Sequence, residues 1–84
     1  MQITFKLFAS LTDHLPPDKR VGNQMSLTVP DGATIAQIIE PFNLPPKLVH
    51  LVLINGTYVA PADRAERALA DGDALAIWPP IAGG

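Results

Sequence analysis

The sequence contains no cysteine. Disulfides, thiolate metal sites and a cysteine nucleophile within the chain are thereby excluded. Charge is sparse and nearly balanced. Six Lys and Arg stand against eight Asp and Glu, a formal charge of -2. Neither nucleic acid nor an anionic lipid surface is favoured without a basic excess. No apolar run approaches the roughly 18–20 residues needed to cross a bilayer. The opening MQITFKLFAS has one Lys and no long apolar run before a cleavage site, so it does not read as a secretion signal. A soluble, cytoplasmic chain is the expectation. Recognisable catalytic motifs are missing too. There is no HExxH, no HxH and no GxxxxGK[ST] phosphate loop. His14 and His50 have no second ligand at metal-site spacing and read as structural or surface residues. No metal site and no bound cofactor are expected in the isolated chain.

What is present is a small apolar domain. Hydrophobic residues make up 48% of 84, and charged residues 17%, which is the reverse of a disordered composition. One core and one domain are expected at this length. Ile3, Phe5 and Leu7 alternate with polar residues, as in a strand buried on one face. Leu11 and Leu15, four apart, suggest a short helical turn, and residues 18–23 a loop. Alternation resumes over residues 26–29, giving an antiparallel partner for the first strand. Thr34 and Gln37 have the spacing of a capping box. Ile35, Ile38, Ile39 and Phe42 then fall on one helix face, with Pro41 ending the regular helix near Glu40. Residues 50–54 form a continuous apolar run, which suggests a strand either buried on both faces or central in the sheet. Asn55-Gly56 turns the chain into a short return strand at residues 57–59. Residues 63–70 read ambiguously as helix. After Asp71-Gly72-Asp73, residues 74–78 form the last strand, which Pro79-Pro80 stops. Asp31, Asp71 and Asp73 sit beside turn glycines and read as acceptors for turn amides. One helix packed on one face of a mixed sheet is an α+β, β-grasp (ubiquitin-like) arrangement.

Two features fall outside this packing logic. Leu75 and Ile77 are the core-facing choice of the last strand, which leaves Trp78 out of phase. Phe8 is out of phase with Ile3, Phe5 and Leu7 in the same way. Both are candidate partner-surface residues. The second feature is the segment Pro79-Pro80-Ile81-Ala82-Gly83-Gly84. Its glycines lack side chains and can enter a narrow channel, and its prolines restrict the backbone near the domain. The expected organisation is a domain over residues 1–78 and a projecting tail over residues 79–84.

The sequence resembles the family of molybdopterin synthase small subunits and thiamine-pathway sulfur carriers. KLFASLTDHLP, VPDGATIAQIIEPF, LVLINGTYV and DGDALAIWPPIAGG carry the resemblance, the last being the most specific. Residues 16–24 and 61–67 are fuller than in compact members. The resemblance implies that Gly84 is the site of acyl-adenylate and thiocarboxylate attachment. Gly83, Ala82, Ile81 and Pro80 would thread the tail into a partner. It implies an ATP-dependent activating enzyme, which uses ATP and magnesium, a sulfur donor protein and the large subunit of molybdopterin synthase as partners. The chain itself would be a non-catalytic, sulfur-carrying subunit of a synthase complex. Thiamine, tungsten-pterin or amino-acid sulfur metabolism, or ubiquitin-like conjugation to proteins, are the alternatives. A binding module with a passive tail is a third class.

Overall fold

A computed structural model describes residues 1–80. The alternating run at the start forms β1 (Gln2–Leu7), with Ile3, Phe5 and Leu7 inward and almost fully buried. Ala9 adopts a left-handed backbone (φ 52°) and turns the chain out of the sheet immediately after Phe8. The 3-10 turn Ala9–His14 follows, and Leu11 and Leu15 both reach the core. Thr12 helps hold that turn, because its hydroxyl donates to the Leu7 carbonyl at 2.9 Å.

The antiparallel partner of β1 is β2 (Gln24–Thr28), in register Phe5 with Met25 and Ile3 with Leu27. It starts two residues earlier than its alternation suggests, and so adds Met25 to the core. The helix α1 is short (Ile35–Ile39), continued by the 3-10 turn Glu40–Phe42. Three isoleucines in five positions are poor helix formers. The ends compensate. Thr34 and Gln37 form the reciprocal capping box. Carbonyls of Arg67 and Arg64 accept from the Ile35 and Ala36 amides, satisfying two more first-turn donors. Phe42 reaches the core from the distorted last turn, its ring 4.7 Å from that of Phe5.

Strands β3 (Leu51–Ile54) and β4 (Thr57–Tyr58) flank the Asn55-Gly56 turn, whose residues have φ of 50° and 83°. Paired positive φ values are what a tight hairpin requires. Strand β5 (Ala74–Trp78) lies between β1 and β3, parallel to β1 and antiparallel to β3. The sheet order is β2-β1-β5-β3-β4. Only one face is covered by α1 and the connecting turns. This is the open β-grasp fold that the element order suggests.

Two sequence expectations change. Of the two readings of the run at residues 50–54, the interior position in the sheet holds and burial on both faces does not. The strand begins at Leu51, and only Val52 and Ile54 point into the core, while Leu51 and Leu53 are half-buried on the outer face. The reason is that β3 is interior in the sheet, but the sheet has a single covering layer. Residues 63–70 are not a helix. The 3-10 turn Pro61–Asp63 is followed by turns that bring Leu69 into the core and bridge Ala68 to Thr34. With alanine at most of its apolar positions, this stretch has no apolar face wide enough to hold a helix against the sheet.

Candidate functional site

Pairing fixes which side chains share the uncovered face. Leu7 pairs with Ile77, and both point into the core. Their neighbours Phe8 and Trp78 therefore project together on the opposite side. Their rings stack with centroids 3.9 Å apart and planes 7° from parallel. The Phe8 amide donates to the Ile77 carbonyl at 3.1 Å, which holds the β1 end against β5. The stack is the most defined aromatic contact on this face. Such pairs contribute about 0.5–1.5 kcal/mol beyond their buried area.

The register extends the patch across the sheet. Leu51 lies opposite Trp78, Leu53 opposite Ala76, and Tyr58 opposite Leu53. Leu51 and Leu53 are half-buried, and Tyr58 is 54% exposed. Ala74 and Ala76 keep the middle of β5 low between taller neighbours. On the β1 side of Ala76 stands Lys6, the only charged residue among the outward-facing strand positions of the described residues. The β3–β5 part of this face is apolar and is bordered by Lys6, beyond which the outward positions of β1 and β2 are polar (Gln2, Thr4, Gln24, Ser26 and Thr28). Pro79, half-buried, and Pro80, exposed, lead away from the Trp78 corner.

The carboxylates behave as structural acceptors, though not all toward turn amides. Asp71 accepts from the Gln2 amide at 2.7 Å and ties the turn to the start of β1. Asp73 accepts from the Ala70 amide and from the Asn55 side chain, both at 2.8 Å. These two hydrogen bonds hold its carboxyl below the usual aspartate range, the Ala70 amide contributing most. Asp31 lies 3.3 Å from the Met1 ammonium rather than on a turn amide. Among the described residues, no three His, Asp or Glu side chains converge as a metal site would need. No described helix is long and apolar enough to cross a membrane. A concavity of about 740 Å³ lies between β2 and α1, lined by Leu27, Val29, Ile38 and Phe42. It carries no converging catalytic groups.

Sequence reasoning singled out Phe8 and Trp78, and the fold brings them into contact. It missed Leu51, Leu53, Tyr58 and Lys6, because the apolar run at residues 51–54 hides its own alternation. Pairing Leu51 with the out-of-phase Trp78 would have exposed that signal. Pro80 is described and exposed. Ile81, Ala82, Gly83 and Gly84, the rest of the sequence-derived site, lie outside the described residues.

A family model described as the ThiS family matches residues 7–84. No curated protein sequence matches the chain significantly. Solved structures do. The solution structure of the HVO 2177 protein from Haloferax volcanii has 27% identity and a TM-score of 0.76, covering 100% of this chain and 87% of that one. The small archaeal modifier protein 1 of H. volcanii has 23% identity and a TM-score of 0.65, over 95% and 98% of the two chains. A putative molybdopterin converting factor, subunit 1, from Pyrococcus furiosus has 20% identity and a TM-score of 0.64, over 95% and 98%. The latter two share the fold.

Proposed function

The chain belongs to the ThiS family, and from that premise we propose that it is a sulfur carrier whose Gly84 carboxylate is activated and thiocarboxylated by partner enzymes. The observation that carries this reading is the apolar Phe8–Trp78 corner, placed where Pro79 and Pro80 leave the sheet. The family match runs through Gly84, so the reacting group belongs to the matched segment. Residues 1–78 act as the docking body. Pro80, Ile81, Ala82 and Gly83 act as the slender arm that enters the partner's active site.

The chemistry divides between the two proteins. A carboxylate is a poor electrophile because its carbonyl carbon is electron-rich and oxide does not leave. In an activating enzyme, a Gly84 carboxylate oxygen attacks the α-phosphorus of ATP, and pyrophosphate departs. The partner supplies the nucleotide and magnesium sites. The terminal sulfur of a donor protein's persulfide then attacks the acyl carbon and expels AMP, forming an acyl disulfide. A second thiol cleaves that S–S bond, reducing it, and the thiocarboxylate is released. This chain contributes position rather than catalytic groups. Holding a tail of fixed length at a fixed docking site makes attack on ATP effectively unimolecular. The reading places the chain in the cytoplasm, where ATP is available.

Within the family, we assign it to the molybdopterin synthase branch, as the small subunit that donates sulfur inside a large catalytic subunit. The PPIAGG end is the segment that supports this branch. The same fold in a protein named as a modifier directs attention to a second product, an isopeptide between Gly84 and a lysine amine. Intact-mass and peptide analysis after incubation with the activating enzyme, ATP and a sulfur donor separates the two. Exchange of one terminal oxygen for sulfur supports the carrier reading. Gly84 found only in isopeptide linkage, with no thiocarboxylate, overturns it.

A further inference from the structure

The segment 61–67 connects two distant parts of the domain. Its backbone reaches α1, where the Arg64 and Arg67 carbonyls accept from the Ala36 and Ile35 amides at 3.2 and 3.0 Å. The Arg64 side chain points the other way. Its guanidinium donates to three main-chain carbonyls: Nε to Val59 at 3.2 Å, Nη1 to Val49 at 3.1 Å and Nη2 to His50 at 3.0 Å. These carbonyls come from the end of the β3–β4 hairpin and from the approach to β3. His50 in turn donates its amide to the carbonyl of Trp78 at 3.2 Å. Trp78 is the last residue of β5 and the ring that stacks on Phe8.

We propose that Arg64 is a positioning residue for the C-terminal arm. It acts through His50 on the Trp78 carbonyl and so sets the direction in which Pro79 and Pro80 leave the sheet. The proposal rests on the carrier reading, since a direction matters only if the arm must reach an active site. The physical reason for arginine is its planar fork. Three donors in fixed directions bind three carbonyls at once, and one of those carbonyls belongs to the residue that holds Trp78. Lysine supplies the same charge from a single nitrogen on a flexible stem and does not reproduce that geometry. Val49 and His50 precede a strand rather than lie within one, so no sheet ladder fixes their carbonyls independently.

The test compares Arg64→Ala and Arg64→Lys with the wild-type chain. Circular dichroism establishes that each variant is folded, and the lysine variant keeps the charge if the alanine variant is too unstable. Amide hydrogen exchange is read at His50, with Asn55, whose amide binds the Ala74 carbonyl at the far end of β3, as internal control. The expected result is exchange about tenfold faster at His50 in both variants, with Asn55 changed by less than about threefold. In parallel, the single-turnover adenylation rate at saturating activating enzyme falls about tenfold, while affinity for that enzyme stays within about threefold. Unchanged His50 exchange overturns the proposal, as does faster exchange with an undiminished adenylation rate. A wild-type chain that is never adenylated sinks the carrier reading instead. The His50 data then still decide whether Arg64 holds Trp78.

Discussion

The rings of Phe8 and Trp78 lie 3.9 Å apart and nearly parallel, joining the end of β1 to the end of β5 on the uncovered face of the sheet. Neither ring belongs to the buried core. Two large, half-buried aromatic side chains are thus kept in a fixed arrangement on a face that no second layer of the described residues covers. Interface hot spots have this character: rigid aromatic area, held in place before binding.

Phe8→Ala is expected to weaken docking to the activating enzyme by about 1–3 kcal/mol, roughly 5- to 150-fold in Kd. Folding is expected to change less, because the core side of β1 is formed by Ile3, Phe5 and Leu7. Calorimetric titration together with thermal denaturation separates the two effects. A destabilised domain with unchanged affinity would make the stack a structural ornament of the sheet.

Among the described residues Lys6 is the one charge on the outward strand positions, so its partner surface is expected to present a carboxylate there. Lys6→Glu is expected to slow association several-fold at low salt, and added salt is expected to narrow the difference from wild type. Stopped-flow binding across a salt series measures both. Equal rates at every ionic strength would remove Lys6 from the interface.

The capping box is a stability device with no place in the chemistry. Thr34→Ala removes the hydroxyl that accepts from the Gln37 amide and is expected to cost about 1 kcal/mol. For a domain of this size that lowers Tm by about 4–8 °C. Thermal unfolding reports the shift, and adenylation at a temperature where both proteins are folded is expected to be unchanged.

Asp73 ties stability to pH. Its folded pKa lies below the ordinary value of 3.8, chiefly through the Ala70 amide and then the Asn55 side chain. In the window below 3.8 the unfolded chain binds more protons, so stability rises with pH there. Its contribution is fully present above 3.8 and is lost as pH falls through the folded pKa. Asp73→Asn is expected to flatten this part of the acid limb. Denaturant titrations of both proteins between about pH 2 and 6 measure the slope difference. Parallel acid limbs would show that Asp73 is not linked to folding.

Much of the fold was legible because its signals are local. Alternation at Ile3, Phe5 and Leu7, the Thr34–Gln37 spacing and the Asn55-Gly56 dipeptide each act over a few residues, and each forms as read. Where a segment depends on distant partners, the reading was weaker. The outward role of Leu51 and Leu53 depends on the absence of a second layer over the sheet. The irregular path of residues 61–70 depends on carbonyls meeting the first turn of α1 and on Leu69 finding the core. At the candidate site, Phe8 and Trp78 stood out by phase alone. Their contact required the parallel β1–β5 register, which brings together residues 70 positions apart in the sequence and which no local pattern encodes.

The central claim is that the Phe8–Trp78 face docks an activating enzyme so that the Gly84 carboxylate attacks ATP. ATP–pyrophosphate exchange tests it directly, because isotope returns to ATP only when an acyl-adenylate forms reversibly. Exchange is expected with the wild-type chain, to be abolished by deletion of Gly84, and to require higher concentrations of the Phe8→Ala chain for the same rate. Undiminished exchange with the Gly84 deletion, or none with the wild-type chain and an activating enzyme competent toward another carrier, would contradict the account.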